Sequence, residues 1–367
     1  MGQLCSGSHA RENDVASALA ITEATHTKFS VRSGGHVPVV GAQSNDNSVL
    51  IALTKIDIKE FNDDKSVLSV GPGNRWIDVY NFTSPYGLAV AGGRYGQVVL
   101  GNESIIETSA IWHQDLSWAL KGGTANYSIV TRFDMKTYPG RGGIDDPHTE
   151  LNPSIEVHPF EDEGFFRSAY LPFVNGTFSA SPVSIENFTS IPNTWYDTVS
   201  HRENWVSLPI EVAGVDDNLR REQFRALALK VAPGVVDLAV DVMLRPALES
   251  GKLSEVNGSV VSVTFEHIRQ MVLQAAQHSG VYAMDVDPAD VILIVTNWLD
   301  AQWDELMCSY SKDAADRLEA RAKELGVSYD LIYVNNAAEG QNPFAAYGKG
   351  GFCGGCRRYG RSTTQRE

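Results

Sequence analysis

Five consecutive residues, Arg32-Ser33-Gly34-Gly35-His36, follow directly on the apolar run Phe29-Ser30-Val31 and are the ones in this chain best placed to do chemistry. Adjacent glycines accept positive φ and let the main chain approach a ligand closely, so their N–H groups can line one concavity that attracts oxyanions. A neutral imidazole at the mouth of such a cradle, His36 here, can serve as a nucleophile or a covalent tether. An ordinary strand-to-turn connection accounts for the same five residues, and taken alone they leave both readings open.

A second group lies near the far end, in Leu331-Ile332-Tyr333-Val334-Asn335-Asn336-Ala337. In an extended strand Tyr333 and Asn335 share one face, so a phenol and a carboxamide can address the same ligand. A phenol beside hydrogen-bonding groups can act as a base. The plainer reading packs Tyr333 under a sheet with its hydroxyl satisfied.

The surrounding elements must position these groups. Val15, Ala18, Leu19 and Thr22 recur at helical spacing behind a cap at Asn13 or Asp14. After the glycine pair comes a small-residue loop, Gly41 to Ser44, then an apolar strand over 48–53. An Asn62-Asp63-Asp64 turn precedes a second strand over 66–70. Gly71 to Tyr80 reads as a turn entering a helix, with Asn74 as its cap. Trp76 and Trp118 are expected in the core. Alternation from Tyr127 to Lys136 predicts a half-buried strand with one wet face. Turn formers over 138–147 then predict a linker.

Beyond the linker, helices are expected over 217–231, 266–278 and 312–325, each ending at a glycine or a Pro-Gly pair, with strands over 259–264 and 291–296. Mixed strands and helices predict an α+β fold whose second domain carries a mainly antiparallel sheet covered by helices.

Five stretches carry a resemblance to a known family: FSVRSGGHVPVVGAQS, VLSVGPGNRWIDVY, SPYGLAVAGGR, DLSWALKGGTANYSIVTRFDMKTYP and IYVNNAAEGQNPFAAYG. The chain resembles the FAD-linked oxidases of the berberine-bridge-enzyme-like group, within the larger family that includes vanillyl-alcohol oxidase. The resemblance implies a PCMH-type FAD-binding domain over 1–139, a substrate domain over 148–330 and a return segment to the flavin over 331–348.

It also implies roles for individual residues. Arg32, Ser33, Gly34 and Gly35 would wrap the FAD pyrophosphate, and His36 would bond covalently to the flavin. Gly41, Ser44 and Gly93 join them as cofactor contacts, as do Gly122 and Ile129 along the second flavin-facing loop. Ser128 stands where the family has a glycine, so a side chain there could crowd the ring. Tyr333 and Asn335 would be the catalytic pair. The implied reaction removes a hydride from an alcohol or amine carbon of a sugar or secondary metabolite, with dioxygen as acceptor.

The family pattern breaks in three places. A glycine-rich loop and the segment with a second flavin-linking cysteine are absent, so Gln97 joins Val98 directly. The start, residues 1–11, lacks an earlier strand-helix unit. Residues 349–367 lose all likeness and are expected to form a disordered tail. These breaks raise an alternative of another class, an inactive family remnant with no competent flavin pocket.

Composition bounds the remaining readings. The chain has 367 residues and a formal net charge of −15, which argues against a nucleic-acid surface. Its longest apolar run, Val291 to Val295, is too short for a membrane span. The expected partners are therefore a small-molecule substrate and dioxygen. Six Asn-x-Ser/Thr sequons, at Asn81, Asn102, Asn126, Asn175, Asn187 and Asn257, suit a secreted family. The opening residues nonetheless lack the apolar core of a signal peptide. Cys5, Cys308, Cys353 and Cys356 make no disulfide framework, and Cys353 and Cys356 lack the second ligand pair of a zinc site, so no metal is expected. Nucleophile-elbow, phosphate-loop Gly-Lys-Ser/Thr and His-Glu-x-x-His motifs are missing.

Overall fold

The computed structural model describes residues 12–35, 39, 43, 45–90, 95–99, 104–123, 127–139, 150–161, 163–173, 220–268, 273–274 and 289–346. Helix α1 (Glu12–Ala24) runs through both expected cap residues, so Asn13 and Asp14 lie inside its first turn. It buries Val15, Leu19 and Thr22. Strand β1 (Phe29–Arg32) pairs in parallel with β2 (Val49–Ala52), Phe29 opposite Val49 and Arg32 opposite Ala52. Val15 and Leu19 of α1 pack with Ile51, Leu53 and Ile56 into a single apolar cluster.

A second sheet of this half is antiparallel. It is built from β3 (Lys59–Phe61), β4 (Val67–Val70), β5 (Leu88–Val90), β6 (Tyr95–Val99), β7 (Ile105–Thr108) and β8 (Ile129–Pro139). Its order is β3-β4-β8-β6-β7, with β5 pairing to the end of β8. Two helices accompany it, α2 (Trp76–Thr83) and α3 (Gln114–Gly123). Leu68, Val70, Val79, Val90 and Met135 form its core.

The step from Gln97 to Val98, where a segment was expected to be missing, lies inside a continuous strand. β6 crosses from Gln97 to Val98 without a break, and the register against β8 slips at that step. Gln97 faces Arg132 while Val98 faces Val130, which leaves Thr131 as the extra residue of a bulge.

Two expectations for β8 change. Tyr138 and Pro139, assigned to a linker, are strand residues opposite Ala89 and Leu88. The early part of the strand is covered on both sides: Tyr127 and Ser128 are buried, and Val130 packs on the cluster of Leu116, Ala119 and Tyr127. From Arg132 onward one face becomes wet, with Arg132 and Asp134 partly exposed and Lys136 exposed.

The second half contains β9 (Glu150–His158), β10 (Glu163–Phe173), β11 (Arg221–Lys230), β12 (Val260–Ile268), β13 (Ala289–Trp298) and β14 (Ser328–Tyr329). They form one antiparallel sheet in the order β10-β9-β12-β13-β11-β14. One face is covered by α4 (Val235–Ala239), a π-turn over Val240–Leu244, α5 (Arg245–Leu248) and α6 (Asp304–Glu324). Ile155, Val157, Leu227, Leu229, Val261, Val263, Ile292 and Ile294 meet Met243, Leu244, Met307 and Leu318 in the principal core.

Here the expected helix over 217–231 is a strand. Glu222 to Lys230 is rich in good helix formers, yet the segment pairs along its whole length with β13, and burial between β13 and β14 overrides that weak local preference. The helix expected from residue 266 also fails at its start, because Glu266, His267 and Ile268 complete β12 opposite Val291, Asp290 and Ala289. Strands expected over 259–264 and 291–296 are present and longer. The last helix begins at Asp304, eight residues before the expected start.

Asp304 ties the sheet to that helix. It accepts hydrogen bonds from Arg221 Nε and, at 2.8 Å, from Trp298 Nε1. The Arg221 hydrogen bond holds its carboxyl below the usual carboxylate range. That contribution is present above the ordinary range and is lost as pH falls through the lowered value, worth about 1 kcal/mol at most at so exposed a site. Among the described residues no helix is long and apolar enough to cross a membrane.

Leu318 is fully buried between α6 and the sheet. Leu318→Ala is expected to cost about 2–5 kcal/mol, read as a lower denaturant midpoint of unfolding.

Candidate active site

The glycine turn leaves the C-terminal end of β1. Arg32 O accepts the Leu53 N–H at 2.8 Å, which extends the parallel pairing by one bond and fixes where the turn starts. Gly35 has φ of 77°, the left-handed region that favours glycine. Among the described residues, a side chain at Gly34 would meet no atom within 4 Å. At Gly35 a Cβ would sit 3.5 Å from Gln43 Oε1 and 3.6 Å from Arg32 Cδ, so the side chains of Arg32 and Gln43 close over that residue. Gly34 and Gly35 therefore form a turn of bare main chain, bordered at Gly35 by the Arg32 and Gln43 side chains and without a described neighbour over Gly34.

A bracket formed by the 53–59 and 71–75 segments supports this turn. A Cβ on Gly71 would stand 2.1 Å from Ile56 O, and one on Gly73 would stand 2.7 Å from Leu53 O, so only glycine permits the approach. Asn74 is not the helix cap that was expected. Its Nδ2 donates to Ile58 O and Gly71 O, both at 3.0 Å, and its Oδ1 accepts from Lys59 Nζ at 2.6 Å. The cap position of α2 belongs to Arg75, whose N–H donates to Asp78 Oδ2 at 2.9 Å. Arg75 Nη2 donates to Gly34 O at 3.2 Å. Trp76 is half exposed and stacks on Tyr80 at 5.8 Å between centroids, which corrects its expected place in the core. Trp118 packs as expected, partly buried against the Leu116 cluster.

Gly122 lies in the last turn of α3, which runs through Gly123, so the helix continues where a loop was expected. The side chain of Ile129 packs against the α1 cluster, so any cofactor contact from this residue is through its main chain. Ser128 is buried, and its Oγ has no hydrogen-bond partner among the described residues. Buried hydroxyls in folded proteins are almost always paired, so this one asks for a ligand or water. His36, Gly41, Ser44 and Gly93 lie outside the described residues.

The structure brings the second group together in a different way from the one expected. Tyr333 and Asn335 do not sit on an extended strand, because Val334–Asn336 is a single 3₁₀ turn. That turn still places the side chains in contact: Asn335 Nδ2 donates to Tyr333 Oη at 2.7 Å. Tyr333 is 40% exposed, so its phenol faces outward and not under the sheet.

Gln341, which sequence reasoning missed, anchors the segment. Its Nε2 donates to Ala226 O at 2.6 Å, and its Oε1 accepts from Ala226 N at 3.1 Å and Ala338 N at 2.9 Å. The carboxamide thus acts as one more rung on the edge of β11 after β14 has ended. Among the described residues no hydrogen bond joins the glycine turn to the Tyr333 pair.

Three comparisons bear on this arrangement. Residues 9–108 match the family model of the FAD binding domain. The FAD-dependent monooxygenase prx3 of Penicillium roqueforti is 30% identical over 406 aligned positions, covering 92% of this chain and 78% of the relative. That alignment is longer than this chain, so the relative carries segments that this chain lacks.

Among solved structures, 6-hydroxy-D-nicotine oxidase from Arthrobacter nicotinovorans superposes with a TM-score of 0.69 at 16% identity, over 91% of this chain and 83% of the other. Xylooligosaccharide oxidase from Myceliophthora thermophila gives 0.63 at 15% identity, over 91% and 82%.

Ala226 and Ala338 are buried, so removing the carboxamide strands their main-chain groups. Gln341→Ala is expected to cost about 1–3 kcal/mol. Hydrogen exchange should show faster exchange at the Ala226 and Ala338 amides, with β12 and β13 unchanged.

Proposed function

This chain belongs to the berberine-bridge-enzyme-like family of FAD-dependent oxidoreductases, and on that premise we propose that it removes a hydride from an alcohol or amine carbon of a sugar or secondary metabolite, passing the electrons to dioxygen. The observation that carries the proposal is the backbone turn at Gly34-Gly35, left-handed at Gly35 and with no described atom within 4 Å of a side chain built at Gly34. The unpaired hydroxyl of Ser128 fits the same group, because a buried donor and acceptor without a partner is suited to a polar ring edge. The net charge of −15 works against an anionic cofactor at long range, so the affinity has to come from local amides and cations.

FAD supplies the acceptance of the hydride and its delivery to dioxygen, which yields hydrogen peroxide. The chain's own residues do the rest. The amides of the glycine turn bind the diphosphate, and His36 tethers the flavin so that it is not lost between turnovers. Tyr333 Oη, entering as the phenolate, would take the proton from the substrate hydroxyl or amine and become the phenol as the adjacent C–H bond breaks. Asn335 Nδ2 occupies one acceptor direction of that oxygen and so aims the other at the substrate. The solved relatives named as oxidases, and the sequence relatives named as monooxygenases, support dioxygen as the oxidant. Two of them, named for 6-hydroxy-D-nicotine and xylooligosaccharide, support the amine and sugar classes respectively. We place the protein outside the cell on family resemblance and on its sequons.

The continuous β6 across Gln97 and Val98 favours the remnant reading, since the wall expected around the flavin is absent from that point. Absorption of the purified protein decides between the two. Yellow colour that survives acid precipitation, and that is released by acid from His36→Ala, is the expected result; colourless protein overturns the oxidase reading. In yellow protein, Tyr333→Phe is expected to lower peroxide formation from an alcohol and sugar panel about 10²- to 10⁴-fold at unchanged flavin content.

A further inference from the structure

We propose that Arg75 is a positioning residue for the cofactor, holding the Gly34–Gly35 peptide in the one orientation that presents an amide to the diphosphate. The inference rests on the flavin reading above and assigns a role to a residue outside the glycine motif itself.

A peptide unit is planar and trans, so its C=O and the following N–H point in opposite directions. No cis bond occurs among the described residues. Whatever holds the Gly34 carbonyl therefore also sets where the Gly35 N–H points. With glycine on both sides, this unit meets little steric resistance to turning over, and the turned form would present a carbonyl oxygen to an anion. Arg75 Nη2 donates to that carbonyl at 3.2 Å and biases the unit toward the form with the amide opposite. A guanidinium carries five donors, and this bond uses one, so its positive charge and remaining donors also favour an anion nearby.

Arg75 is itself held from several directions. Its own N–H is bonded to Asp78 Oδ2. The preceding Asn74 side chain is tied to Ile58, Gly71 and Lys59, and the Gly71 and Gly73 backbones press on the carbonyls of Ile56 and Leu53. Leu53 in turn bonds Arg32 O at the start of the turn. The turn is thus gripped at two carbonyls, Arg32 O by a main-chain amide and Gly34 O by a side chain. Only the second grip can be removed by substitution.

His36→Ala protein, in which the flavin is exchangeable, is the reference for the test. Titrate FAD and, separately, ADP, which carries the same diphosphate without the flavin, into the reference and into the same protein bearing Arg75→Met or Arg75→Lys. Loss of one charge-assisted hydrogen bond predicts that Arg75→Met weakens both ligands roughly 10- to 100-fold, with partial recovery in Arg75→Lys and an unchanged melting temperature of the flavin-free protein. Asp78→Ala, which removes the helix cap but not the bond to Gly34, is expected to lower that melting temperature and leave affinity near the reference. Equal affinities for the reference and Arg75→Met overturn the proposal, as does a weakening that follows a matching loss of flavin-free stability. A reference that binds neither ligand overturns the flavin reading instead.

Discussion

Parallel pairing of β1 with β2 is the constraint on which the cofactor half of the molecule depends. Its last rung, Leu53 N–H to Arg32 O, ends regular structure at the point where the glycine turn begins. A parallel pair cannot be closed by a tight hairpin, so the chain between these strands must leave the sheet and return. The residues proposed to hold the diphosphate, Ser33, Gly34 and Gly35, follow directly on that last rung. The cluster of Val15, Leu19, Ile51, Leu53 and Ile56 holds the pair against α1 and makes the end of β1 a rigid platform.

The two halves place their functional groups by different means. In the first, the proposed diphosphate contacts are main-chain groups, and the supporting residues are glycines that allow main chain to touch main chain. Gly71 and Gly73 let one turn lie against another, and Arg75 reaches across to the third. In the second half the proposed catalytic groups are side chains, Tyr333 and Asn335. They are carried on a segment with little regular structure that borrows a sheet edge through Gln341. The six-stranded sheet and α6 supply the rigidity that this segment lacks.

Much of this was legible from residues alone. Apolar periodicity located α1, β4, β12 and β13, and the glycine pair marked the turn after β1, because these signals are local. The segment 221–230 misled, since arginine, glutamate, leucine and alanine favour a helix in isolation and only the ladder on both sides makes it β11. Asn74 misled in the same manner. An asparagine before a helix is a good cap, but here its amide is used up on Ile58 and Gly71, brought near by folding. Trp76 looked like core because large aromatics are usually buried; its i,i+4 neighbour Tyr80 is readable from helical spacing, but that this face of α2 leaves Trp76 half exposed is not.

What the sequence determined by itself is the chemistry available: a bare glycine turn that can hold an anion, a histidine beside it, and a phenol and carboxamide two residues apart. Those follow from residue type and short spacing, which no tertiary contact can alter. The tertiary structure alone decided how each is aimed. The 3₁₀ turn and the grip of Gln341 on Ala226 turn Tyr333 outward with Asn335 bonded to it, and the bracket around Arg75 selects one face of the Gly34–Gly35 peptide. The Gln341–Ala226 and Arg75–Gly34 partners are more than forty residues apart, and hydrogen bonds of that reach exist only after the backbone has closed.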